Sequence, residues 1–278
     1  MTKLPASRRI PITLVVVAGC LATAVSCRGT GSKLSGTDIA MIPESGEGYR
    51  LYTAHCSACH GPNGGGDGPA AIAVGIRPRA FLDEPFRYVS SLDGTPTLDD
   101  LVQTIRSGRR LGDMPAHPHL SDEEIRVLVD YVRELSRIGW AARIVENLDE
   151  DDELSAEEID EISAERVALG DPISFTWPGP EFHPDTAIGR TLYMEACASC
   201  HGLSGMGDGL DMPLDDRGKP IAVRDLTSGE FQGGTGLGEL FKRLRCGLPG
   251  TPMPSQEAMS DEEIWQLVYY VRFLAGRR

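Results

Sequence analysis

The sequence predicts an all-α protein: two small helical modules in tandem, joined by an acidic linker. Three observations predict it. The pattern Cys-x-x-Cys-His occurs at Cys56-Ser57-Ala58-Cys59-His60 and again at Cys197-Ala198-Ser199-Cys200-His201. The residues around the two copies repeat in the same order, at an offset of 141 through the glycine turn after the cysteines and 139 toward the end of each copy, which is the mark of a duplicated unit. The segments with clear apolar periodicity carry it at helical spacing.

The chain has 278 residues, enough for two small domains, with 41% hydrophobic and 24% charged residues and a formal net charge of −14. That composition is ordinary for a soluble globular protein. The acidity argues against nucleic-acid binding. Seven cysteines are present, and their placement is not that of a disulfide framework.

Residues 1–27 read as an export segment. Lys3, Arg8 and Arg9 form a basic start, and Ile10 to Val25 is apolar but short for a membrane span. Val17-Ala18-Gly19-Cys20 resembles a bacterial lipobox, in which the cysteine is lipidated; Ala24-Val25-Ser26-Cys27 is a second candidate. The alternatives are an uncleaved anchor or an ordinary signal peptide. Either cysteine would tether a soluble body to a membrane on its periplasmic side without spanning it. Residues 28–45, rich in Gly, Ser and Thr, read as a flexible tether.

The first module spans 46–138. Gly48, Leu51 and Tyr52 suggest a helix leading into Cys56, and a glycine-rich run from Gly61 to Gly68 then breaks it. Leu98, Leu101, Val102 and Ile105 mark a short helix. Ser121 to Glu124 is a capping box for a last helix whose stripe is Ile125, Leu128, Val129, Val132 and Leu135. Tyr131 is placed to pack on the first helix. The second module, 187–278, repeats this with Gly189, Leu192 and Tyr193, then Gly205 to Gly209, and Asp261 to Ile264.

The linker, 139–186, holds the charge: Glu146 to Glu165 has 11 acidic residues in 20 and no basic one. Asp149 to Glu158 is too short for a calcium loop and lacks its turn glycine, while Ser155 and Glu158 suit a helix cap. A solvated helix or disordered stretch is expected here, leaving the modules free to move against each other. Phe175, Trp177 and Phe182 are expected to pack on a module surface.

Cys-x-x-Cys-His is the c-type haem attachment signature. Two thiols one helical turn apart add to the two vinyl groups of one haem, and the following histidine becomes the proximal ligand. A bare Cys-x-x-Cys would also suit a redox dithiol or half a zinc site; the adjacent histidine and the duplication favour haem. Each copy then has one Met-Pro, Met114 and Met253, 58 and 56 residues after the first haem cysteine. A thioether opposite histidine fills the sixth position and suits electron transfer. His117 and His119, near Met114, are rival ligands with no counterpart near Met253, and with His55 and His183 they read as surface histidines.

This pattern resembles the class I c-type cytochromes over 46–138 and 187–278, through Cys-x-x-Cys-His, the Gly-x-Gly-Asp-Gly turn, Met-Pro and the last helix. The resemblance implies a small all-helical fold in each module, with first and last helices crossing. It implies His60 and Met114 as axial ligands of one covalently attached haem c, bound by Cys56 and Cys59. His201 and Met253 would serve the second, bound by Cys197 and Cys200. Arg79 and Arg224 are candidate propionate contacts, Arg109 and Arg110 candidates for a docking face, and Cys246 reads as a small buried thiol.

The expected function is that of a dihaem c-type cytochrome and exported lipoprotein, transferring one electron per haem between redox partners in a respiratory chain, with no catalytic residue. The alternatives are a permanently bound cytochrome subunit of a respiratory oxidoreductase and a dihaem peroxidase, which needs one iron with a displaceable ligand. A haem gas sensor would need an open iron and a signalling domain.

Overall fold

The computed structural model describes residues 41–109, 114–149, 153–215, 218–231 and 233–276. Cys20, Cys27, residues 28–40 of the tether, and Arg110 lie outside them. The described residues contain no β-strand, only two isolated bridges, and no helix among them is long and apolar enough to cross a membrane.

Module one begins with α1 (Gly46–His55), which leads directly into the one-turn α2 (Ser57–His60). After the glycine-rich loop come α3 (Pro69–Val74), α4 (Leu98–Ser107) and the long α5 (Asp122–Glu146). Capping boxes start both α4, at Thr97 and Asp100, and α5, at Ser121 and Glu124. Each satisfies two backbone donors that a helix start leaves orphaned. α5 packs across α1, burying Ile125, Leu128 and Leu135 completely; each such side chain contributes about 1.5–3 kcal/mol.

The crossing depends on Gly48. A Cβ there would stand 2.9 Å from the Cβ of Tyr131, so only hydrogen lets the backbones approach this closely. Tyr52 and Tyr131 then meet with ring centroids 5.2 Å apart. Module two repeats the crossing between α7 (Thr186–Ala196) and α10 (Asp261–Ala275). There a Cβ on Gly189 would stand 2.8 Å from that of Tyr270, and Tyr193 and Tyr270 lie 5.4 Å apart. Between these helices come α8 (Ala198–His201), a 3-10 turn (Leu226–Ser228) and α9 (Leu237–Cys246).

In the linker the expected helix cap at Ser155 and Glu158 forms, and Phe175 and Trp177 pack on module two as expected, but the acidic stretch is not free of the modules. α5 does not stop at 138 but continues to Glu146, and α6 (Ala156–Arg166) folds back on it, burying Ile159, Ser163 and Val167. The acidic face of α6 is solvated, yet Arg137 bridges Glu134 at 2.6 Å and also pairs with Asp160. Beyond α6 the chain is pinned to module one, where Gly170 and Ile173 donate to the carbonyls of Pro96 (3.0 Å) and Ser90 (2.7 Å). It is then pinned to module two. Phe175 stacks on Phe241 at 4.6 Å, and the indole N–H of Trp265 donates to the Thr176 carbonyl at 3.0 Å. The linker is thus a packed strap, because a few apolar side chains and buried backbone groups outweigh the composition of the acidic stretch.

The modules also touch directly, contrary to the expected freedom. The Tyr88 ring of module one meets two guanidinium groups: Arg109, 3.4 Å from its centroid, and Arg243 of α9, at 4.8 Å. Arg77 pairs with Asp215 of module two at 3.0 Å.

Candidate functional site

The Cys-x-x-Cys-His segments take the same shape in both modules. The first cysteine ends one helix and begins a single turn, with its N–H bonded to the carbonyl of Tyr52 or Tyr193 at 2.8 and 2.9 Å. The tyrosine hydroxyls donate to Gly61 and Gly202, each at 2.7 Å, which fixes the residue after each histidine. Cys56, Cys59, Cys197 and Cys200 are unpaired thiols. Burial pushes the thiols of Cys56 and Cys197 up to about 11, which does not suit a dithiol that reacts as thiolate.

His60 and His201 are oriented by backbone. The Nδ1–H of His60 donates to the Arg79 carbonyl at 3.0 Å, and that of His201 to the Arg224 carbonyl at 3.1 Å. This fixes the tautomer and leaves Nε2 as the available ligand atom. Burial lowers both imidazole pKa values, favouring the neutral form that a metal ligand requires. The loops carrying these carbonyls are held alike, since Phe81 and Leu226 each donate to the carbonyl of a loop glycine, Gly64 or Gly205, at 2.7 Å. In module one the Phe81 ring also stacks on His60, with centroids 4.6 Å apart and planes 16° apart; Leu226 stands in its place in module two.

Met114 and Met253 lie in matching turns and are partly buried. Arg109 N–H donates to the Met114 carbonyl at 2.8 Å and Leu248 N–H to the Met253 carbonyl at 3.0 Å. Each turn presses on a glycine that ends the preceding helix: Gly108 at φ +62° and Gly247 at φ +68°. A Cβ on these would stand 2.5 and 2.7 Å from the methionine carbonyl oxygens. Both glycines escaped the sequence reading, although Gly directly after a helix and six residues before Met is a visible signal in both copies. Another missed pair is Arg106 with Asp122 and Arg245 with Asp261, each at 2.5 Å, which ties the helix before the methionine loop to the start of the last helix.

Arg79 and Arg224 contribute their carbonyls, and the Arg79 guanidinium pairs with buried Glu84 at 2.9 Å. The Arg109 guanidinium lies on Tyr88 and bonds Thr104. The buried Nε–H groups of Arg87, Arg109 and Arg243 find no partner among the described residues. Unmet guanidinium donors of this kind suit carboxylates, and a haem brings two propionates. With paired thiols, neutral imidazoles and thioethers, the donor set therefore fits haem c.

Cys246 is buried, and its thiol is pushed up to about 11, a protonated packing residue and not a thiolate ligand. His183 is exposed. His117, by contrast, is buried and clusters with His55 and His119.

Comparison with known proteins finds a cytochrome family in each half of the chain. Residues 43–132 match the family described as cytochrome c oxidase, cbb3-type, subunit III. Residues 186–275 match the family described as cytochrome c. Among solved structures, a chain of the reducing HAO-like protein complex of Kuenenia stuttgartiensis is similar, with 29% identity and a TM-score of 0.66. The match covers 84% of this chain and 99% of that one.

Proposed function

Because this chain is a tandem c-type cytochrome and an electron-transfer protein, we propose that it carries single electrons between redox partners through two covalently attached haems, one per module. A haem supplies a one-electron iron couple. Cys56 and Cys59, and Cys197 and Cys200, hold each macrocycle by thioether bonds. His60 and His201 would supply Nε2 as iron ligands, and Met114 and Met253 would supply the thioether ligands. A thioether ligand raises the reduction potential and leaves no vacancy for oxygen chemistry. The observation that carries this reading is the equivalence of the two sites: the same carbonyl anchor on each histidine and the same turn under each methionine. A dihaem peroxidase would need those sites to differ.

Optical spectra of the purified chain, with a haem-to-protein ratio, test the proposal. Two haems per chain that resist detachment in acid acetone, and the weak iron–methionine band near ~700 nm at both, are expected for filled axial sites. A high-spin haem or loss of the band at one module would overturn it and favour the peroxidase.

A second reading, a bound subunit of an oxidoreductase, is favoured by two observations. The similar structure comes from a protein complex. Module two also exposes Leu203, Met206, Leu210 and Met212, each more than half accessible, as in surfaces that dock partners. A partner retained through purification from the native source would establish this reading, and recovery as a free monomer would exclude it.

The basic start and apolar run suggest export to the periplasm, and the lipobox-like sequence suggests lipidation of Cys20, or of Cys27. Membrane fractionation and N-terminal mass spectrometry test this. An unmodified N-terminus in the soluble fraction would refute it.

A further inference from the structure

The structure assigns to His55, His117 and His119 a three-imidazole site for a late first-row divalent cation, zinc(II) or copper(II), on module one and apart from the haem-binding residues. His55 closes α1, and the other two come from the Pro-rich turn before α5. One ring nitrogen from each lies within 4.8 Å of the others, and the ring centroids are 5.4–5.8 Å apart. The turn is held in place: His117 N–H donates to the Arg106 carbonyl at 3.1 Å and Leu120 N–H to the His117 carbonyl at 3.3 Å.

Module two serves as an internal control. Its counterparts are Ala196, Gln256 and Ala258, yet Gln256 N–H makes the same kind of bond, to the carbonyls of Leu244 and Arg245 at 3.2 Å. The turn therefore forms without histidine, so the fold does not account for three in module one. Nor do three clustered imidazoles help as a bare group. Burial, then the proximity of His55 and His119, lowers the pKa of His117, which favours its neutral ring, the form that imidazole ligands take. A cation here also meets the negative end of the α1 dipole.

Nitrogens bound at about 2.0–2.1 Å in a tetrahedron stand about 3.3 Å apart. The set must therefore contract, and rotation of exposed His119 can supply the movement. Three ligands leave a fourth position, open to water or an exogenous ligand. Because His55 adjoins Cys56, a bound dication favours the reduced, less positive form of a nearby haem iron. That consequence rests on the haem reading; the metal site does not.

The test uses the full-length, haem-loaded chain stripped of metal with chelator. Calorimetric titration with Zn²⁺, and electron paramagnetic resonance with Cu²⁺, are expected to show one strong site with nitrogen hyperfine structure. His119→Gln and His55→Ala should each weaken binding at least tenfold, while His183→Ala leaves it unchanged. A rise in the module-one potential on adding Zn²⁺ would support the coupling. Equal binding by His119→Gln and the unsubstituted chain, or no site at all, would overturn the assignment. So would a His119→Gln change in the haem axial-ligand spectrum, since His119 would then be an iron ligand.

Discussion

The Nδ1–H of His60 donates to the backbone carbonyl of Arg79 at 3.0 Å, and Phe81, two residues on, lays its ring against the same imidazole. Module two keeps the carbonyl bond, from Arg224, but has Leu226 where module one has Phe81. The two irons are therefore expected to have different reduction potentials. Phe81→Leu should move the module-one value toward that of module two. A potentiometric titration resolving two waves checks this, and an unchanged separation would count against a role for the ring.

Gly108 sits at φ +62° beneath the Met114 carbonyl. Gly108→Ala forces both a strained backbone and a displaced methionine turn. The expected result is loss of the ~700 nm iron–methionine band at one haem of two, with a fall in that potential within the ~0.8 V that axial ligation commands. Gly247→Ala should do the same at the other haem.

At the helix crossings, Gly48→Val and Gly189→Val each insert a side chain where Tyr131 or Tyr270 already stands. Each should cost about 1–3 kcal/mol of stability or more, measured from denaturant midpoints. Similar losses in both modules are expected, since the clearances are 2.9 and 2.8 Å.

Tyr88 holds Arg109 and Arg243 across the module contact. Tyr88→Ala removes two cation–π contacts, each worth about 0.5–2 kcal/mol. It should loosen the modules and increase proteolytic cleavage of the strap at 167–185. Unchanged cleavage would show that the strap alone holds the modules together.

The capping-box carboxyls of Glu124, Glu158 and Glu263 are held below the ordinary glutamate value of 4.5 by backbone N–H and serine hydroxyl donors. Depressed carboxylates stabilise the fold above 4.5, and that contribution is lost as pH falls through the lower folded value. Thermal stability should therefore decline below about pH 4.5. Glu263→Gln should be less stable at neutral pH and lose less on acidification. An unaltered pH slope in that variant would refute the assignment.

What the sequence determined by itself was local or duplicated. Two thiols must lie a helical turn apart to reach one haem, so Cys56, Cys59 and His60 are legible without a fold. Capping boxes close within four residues, so Ser121 and Ser155 announced their helices. Duplication singled out Met114 and Met253 among eight methionines as the candidate ligands. Only the tertiary structure decided the rest. The imidazoles are held by carbonyls, which have no residue identity to read. Arg109, Tyr88 and Arg243 meet across two modules, and no periodic pattern links them. The acidic linker became a strap because Ile159, Phe175 and the Thr176 carbonyl found partners far away in sequence. His55 joined His117 and His119 only when α1 and the loop before α5 met, because convergence of distant side chains depends on how the helices pack.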